Sequence, residues 1–188
     1  MQYYLKEFGK HVEITGYKNI SFSYAEAFLN KDRKIQNQNV EVQFFDADLI
    51  ATERHLYFAV LNALEAFKNK SNLSRSLAME TMLYASAQRQ IQKAISKSGI
   101  KPESTNMAAV IISQDPAGLK TVLDAVTLVL GNNPDESVLK ISTQKIKRLK
   151  ETFQISEKEL ETVTKDKDGK MALVDLVIEH MALLATQL

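Results

Sequence analysis

The run Met107-Ala-Ala-Val-Ile-Ile112 is the strongest constraint on what this chain can fold into. Six consecutive apolar residues leave no polar face to turn toward water, so a strand built from them must be covered on both sides. Turn signals bound the run, which marks it as a short central strand. The rest of the chain therefore has to supply neighbouring strands and two apolar layers.

Candidate neighbours lie early. From Gln2 to Asp48 the pattern is strand-like: Val12 and Ile14 alternate with polar neighbours, and Val40, Val42 and Phe44 alternate again before Asp46-Ala47-Asp48. The polar stretch KDRKIQNQN between them reads as a long loop. From Ala51 the period becomes helical, with Leu56, Ala59, Val60, Ala63, Leu64 and Phe67 on one side. A second helical stretch opens near Ser74 and carries Leu77, Met82, Leu83, Ile91, Ala94 and Ile95 to Gly99; one long helix and two helices with a bend both fit it. Asp115-Pro116 starts a helix whose buried side is Leu119, Val122, Leu123, Val126 and Val129, and Gly131 ends it. Ser137–Ile141 reads as a last extended piece, KIKRLKETF as helix, Ser156 with Glu159 as a capping box, and about Met171 to the end as a final helix. The expected fold is mixed α+β: a small sheet covered by several helices, mostly helical, in a single domain over 1–188. Residues 1–48 are mainly strand-forming and 51–188 mainly helical, apart from the buried strand near 107–112.

Several function classes are excluded. The six glycines are scattered singly, with no phosphate-cradling pattern. The chain has no cysteine and only His11, His55 and His180 as candidate bases, and neither GxSxG nor HExxH occurs. No signal peptide and no transmembrane run is expected, and cysteine-free composition fits a reducing cytoplasm. Asp46 and Asp48 with His55 form the one candidate hydrolytic or metal constellation; acids that end a strand and cap the next helix are the commoner use of such residues. Asp166-Lys-Asp168-Gly169 lacks the further ligands of a calcium loop and reads as a turn.

Two surface features carry more information. The formal net charge is +1, so polyanion affinity needs a local patch. Arg89, Lys93 and Lys97 are spaced by four, which would stack three cations on one helix face, in a segment rich in bases. A solvated face and a nucleic-acid footprint both fit. In the last helix, apolar residues from Leu173 to Ala185 cover more than the stripe needed to dock on one core. Full burial and a partner site, including a second copy of the chain, both remain open.

The residues also resemble a known family. Asp46-Ala-Asp-Leu-Ile-Ala-Thr52 running into Glu53-Arg54-His55, Met79-Glu80 with Ser86-Ala-Gln-Arg-Gln-Ile91, Asp135-Glu-Ser-Val-Leu, and Val177-Ile-Glu-His-Met-Ala-Leu-Leu184 look like elements of the PRPK-binding small subunit of the KEOPS (EKC) complex. That resemblance covers roughly Val40 to the C-terminus. It implies a non-catalytic regulatory subunit in the machine that installs threonylcarbamoyladenosine on tRNA, with no cofactor and no small-molecule substrate of its own. It further implies binding to the N-lobe of a kinase-like ATPase subunit, stimulation of that partner, and a grip on the tRNA 3′ CCA end. The last helix, through Val177, Ile178, Met181, Leu184 and Ala185, would meet the kinase. Arg89, Gln90, Lys93 and Lys97 would face tRNA, with Arg54, His55 and Arg75 as neighbours. Ala87 stands where the family often has glycine.

Overall fold

The computed structural model describes the backbone of residues 1–32, 40–164 and 168–186, and their side chains except at 31, 32, 185 and 186. The described residues form an antiparallel sheet of β1 (Gln2–Leu5), β2 (Lys10–Lys18), β3 (Val40–Asp46) and β4 (Asn106–Ser113), in the order β1-β2-β4-β3. The apolar run is β4, and it is held on both edges. Lys18 pairs with Asn106 and His11 with Ser113 on one side, and Asp46 with Met107 and Val40 with Ser113 on the other.

Both of its faces are covered, as the absence of polar residues demands. Met107, Ala109 and Ile111 pack with Phe44 under helices α1 (Phe22–Asp32) and α5 (Pro116–Leu130). Ala108, Val110 and Ile112 pack with Val12, Ile14 and Phe45 under α2 (Glu53–Lys68) and α3 (Leu77–Ser86). At about 1.5–3 kcal/mol for each fully buried large aliphatic side chain, Val110, Ile111 and Ile112 are among the main contributors to stability. A third cluster joins α6 (Thr143–Phe153) to α8 (Gly169–Ala182) through Leu149, Phe153, Leu173, Val174 and Val177, with α7 (Glu157–Thr164) beside it.

Local chemistry sets the expected helix ends. The Asp115 carboxylate accepts from the amides of Ala117 and Gly118 at 3.2 and 3.0 Å, Pro116 opens α5, and Gly131 closes it at φ 68°. Ser156 and Glu159 form the reciprocal capping box ahead of α7: the Ser156 amide donates to the Glu159 carboxylate at 2.7 Å and the Glu159 amide to the Ser156 hydroxyl at 3.2 Å.

Three local expectations are corrected and one open alternative is decided. Residues 22–32, inside the stretch read as strand-forming, are helix α1, whose Ala25 and Phe28 face the sheet. Ser137–Ile141 is not extended: Glu136–Leu139 is a 3₁₀ turn, bent because the Asp135 side chain takes the Ser137 amide at 2.9 Å. Val129 is exposed on α5, where Leu130 is buried instead. Of the two readings open for 74–99, the structure has two helices with a bend, α3 and α4 (Ile91–Ser98). Residues 33–39 of the expected loop and Asp166 of the expected turn lie outside the described residues.

The break between α3 and α4 is made at Ala87, whose φ of 50° and ψ of 45° are left-handed. The Gln88 amide reaches back to the Leu83 carbonyl at 3.0 Å, which closes the end of α3 and turns the chain away. An alanine there bears a steric cost that glycine avoids. Ala87→Gly is expected to stabilise the protein by about 0.5–1 kcal/mol after glycine's extra unfolded-state entropy is counted. Thermal unfolding should show a higher midpoint; a lower one would mean that the Ala87 methyl matters more for packing than for strain.

Candidate nucleic-acid interface

The Ala87 turn sends Gln88, Arg89 and Gln90 across the surface before α4 begins, and α4 starts without a side-chain cap on its first amides. Those amides are the positive end of the helix. On α4, Ala94 and Ser98 face inward while Gln92, Lys93 and Ser96 are exposed. Beside it runs the C-terminal end of α6. The Lys97 ammonium lies 4.5 Å from the centre of the Phe153 ring, a cation–π contact that ties the two helices together.

Two connected hollows lie along this junction. One, of about 300 Å³, is lined by Ala87, Gln88, Arg89, Gln90, Lys93 and Leu184. The next, of about 390 Å³, shares Gln88 and Lys93 and adds Lys97 with Thr152 of α6 and Gln154, the residue that caps it. Among the described residues no acidic side chain lines either one. Neither Lys93 nor Lys97 has an ion-pair partner among the described residues. Burial lowers the Lys97 pKa from its ordinary value. Beyond Gln154 a third hollow, of about 460 Å³, is charge-balanced, since Lys147 and Lys150 face Glu151 and Glu157.

Arg89, Gln90, Lys93 and Lys97 therefore come together, although Arg89 sits in the turn before α4 and not in a stack of three on one face. The other expected neighbours do not join them. Arg54 is paired with Asp175 of α8 at 3.5 Å, and Arg75 is exposed in the turn preceding α3, away from both hollows. His55 is fully buried and is corrected from surface contact to internal joint. Its Nδ1 accepts the Ala51 amide at 3.3 Å and its Nε2 donates to the Ala85 carbonyl at 2.9 Å, the pattern of a neutral imidazole. Its ring meets the edge of Phe153, on which Lys97 also rests.

The hydrolytic constellation dissolves in the same way. Asp46 caps the turn Ala47–Leu49 by accepting the Asp48 amide at 3.0 Å and takes the Ser104 hydroxyl at 2.7 Å, while Asp48 pairs with Arg148 at 2.9 Å. Among the described residues, no group of three or more His, Asp or Glu side chains is placed to hold a metal ion.

The last helix is also re-aimed. Val177, Met181 and Leu184 are buried in this structure, which corrects them from outward contacts to core residues; Ile178 is half-buried, and the side chain of Ala185 lies outside the described residues. The outward apolar positions are Met171 at 44% exposure, Ala182, and Leu183 at 47%. Among the described residues no helix is long and apolar enough to cross a membrane.

Residues 17–185 match the family model described as kinase binding protein CGI-121. The chain belongs to the CGI-121 family. Regulatory protein Cgi121 of Methanocaldococcus jannaschii is 31% identical over 124 residues, 66% of this chain and 77% of that protein. For a CGI-121 family member of this sequence, three residues at the basic site escape sequence reasoning: Thr152, Phe153 and Gln154. They stand more than fifty residues from Lys97, and nothing in their local pattern announces that α6 ends against α4.

The buried imidazole makes a pH prediction. Desolvation, opposed in part by the bond to the Ala85 carbonyl, lowers the His55 pKa from 6.5 to about 4. Between those values the unfolded chain binds the extra proton, so the His55 contribution to stability is complete above about pH 6.5 and declines as pH falls toward 4. The slope it adds cannot exceed about 1.4 kcal/mol per pH unit. Urea midpoints at pH 7.5 and pH 5 should fall more for wild type than for His55→Gln; equal falls would remove His55 from the titration.

Proposed function

We propose that this protein is a non-catalytic regulatory subunit of a KEOPS-type tRNA threonylcarbamoyladenosine machine, acting in the cytoplasm. In this reading it docks the N-lobe of a kinase-like ATPase subunit and stimulates it, and it grips the 3′ CCA end of tRNA. Family membership supports the kinase partner. The observation that carries the RNA side is the pair of adjoining hollows lined by Arg89, Lys93 and Lys97, with no acid among the described residues that line them. Lys93, with no ion-pair partner among the described residues, breaks no salt bridge when it turns to a phosphate. For the kinase, the exposed apolar positions Met171, Ala182 and Leu183, with half-buried Ile178 between them, offer the outward strip of the last helix.

The test uses the full chain, a fluorescently labelled tRNA and the purified kinase-like subunit. Arg89→Glu with Lys93→Glu should weaken tRNA binding at least tenfold and flatten its salt dependence by roughly 0.7 per lost phosphate contact on single strands. Met171→Asp with Leu183→Asp should weaken the kinase complex by about 30-fold, the loss typical of a central interface residue, and leave tRNA affinity unchanged. Unaltered tRNA binding in the first variant refutes the RNA assignment, and unaltered kinase binding in the second refutes the docking strip.

A further inference from the structure

We propose that the outer edge of β3 docks one extended apolar segment of a partner protein, which adds a strand to the four-stranded sheet in the cleft between α1 and α3. This surface is separate from the basic hollows and from the outward strip of the last helix.

The alternation of the antiparallel ladder sets which backbone groups are free. The Ile14 amide donates to the Met1 carbonyl at 2.9 Å and the Asp135 amide to the Gly16 carbonyl at 2.7 Å, so Ile14 and Gly16 turn away from β4. Successive residues of a strand turn to opposite edges, and Glu13, Thr15 and Tyr17 therefore bond to Ile111, Ala109 and Met107. Ala108, Val110 and Ile112 are left to bond to Phe45, Gln43 and Glu41 on the other side. Val42 and Phe44 thus carry their amides and carbonyls on the outer edge of β3, where the sheet ends. The Phe44 carbonyl there has a substitute for a strand partner: the Gln43 side-chain amide folds over and donates to it at 3.1 Å.

A cleft of about 430 Å³, in the size range of ligand-binding clefts, runs along Val42, Gln43 and Phe44. Phe22 and Leu29 of α1 form one wall, and Met79 and Met82 of α3 with Ile95 of α4 form the other. A strand laid on β3 sends alternate side chains to the two walls. Both walls are apolar, so the fitting segment is apolar at successive positions, as β4 is. The two methionines adapt their shape to what is laid against them. Glu26 is the one charged side chain among the described residues lining the cleft, which favours a Lys or Arg beside the apolar run. A small apolar molecule would leave the edge amides unpaired, whereas an extended backbone gives each a partner. The β3 edge of a second copy does not fit, because it lies between its own α1 and α3, and helix would meet helix before the strands came within pairing distance.

The probe is a fluorescein-labelled, C-terminally amidated peptide, Lys-Val-Thr-Ile-Val-Ile-Lys, added to the full chain and followed by anisotropy and by amide hydrogen exchange. Binding should saturate below about 1 mM. In the free protein the Val42 and Phe44 amides should exchange about tenfold faster than those of Gln43 and Phe45, and the peptide should slow the first pair by a similar factor. Ile95→Asn, at an exposed position of the wall, should weaken binding about three- to tenfold with an unfolding midpoint close to that of wild type. No saturable binding overturns the proposal. Binding that leaves the Val42 and Phe44 amides unprotected also overturns it, since the cleft would then hold side chains without adding a strand. A dimer in light scattering that Ile95→Asn dissolves would make the occupant a second copy and overturn the choice of a partner protein.

Discussion

Strand β4 is the member on which the rest of the molecule depends. It gives both edges to hydrogen bonding and both faces to burial, so both helical layers that cover the sheet pack on it. The two faces are served by different helices: α1 and α5 lie over Met107, Ala109 and Ile111, and α2 and α3 over Ala108, Val110 and Ile112. Of the two layers on the sheet, the second leads to the basic surface, because α3 ends in the turn that carries Arg89. The candidate surface is thus attached to the sheet layers by one helix end and the backbone conformation of Ala87, and to the third cluster through Phe153.

His55 is the joint between that layer and the third cluster. Its two ring nitrogens fix the start of α2 and the end of α3, and its ring makes a T-shaped contact with Phe153, the same ring that underlies Lys97. Imidazole, phenyl ring and ammonium follow one another from core to surface. A charged imidazole would sit against Lys97 through a thin apolar layer, and Lys97 and Lys145 both favour its neutral form. A histidine that looks in sequence like a site residue is in the structure a site support.

Legibility followed locality. The strand β4, the caps of α5, the Ser156–Glu159 box and the buried side of α2 were all written in short-range patterns that no tertiary contact overrides. Helix α1 was missed because its inward stripe is short and is flanked by alternating strands that suggest the same period throughout. The 3₁₀ turn at Glu136–Leu139 was missed because Asp135 competes with extension through a single side-chain bond. At the candidate site, the cluster Arg89-Gln90-Lys93-Lys97 could be read because its members are neighbours in the chain. The burial of His55, Val177 and Met181 could not, since helices rich in apolar residues look alike whether a partner or the protein's own core covers them. The meeting of α4 with α6 had no local signal at all.

The order of strands also sets a timetable for synthesis. Strand β2 is complete at Lys18, yet the edge it shares with β4 cannot form until Ser113 has been made. At ordinary translation speeds of about 5–20 residues per second, that interval lasts roughly 5–20 seconds. During it Val12 and Ile14 have β1 on one edge only and lack Ile112 and Val110, their partners on β4. The protein thus has to assemble its sheet late and nearly at once, a high-contact-order step that leaves the nascent chain in need of shelter before the fold exists to provide it.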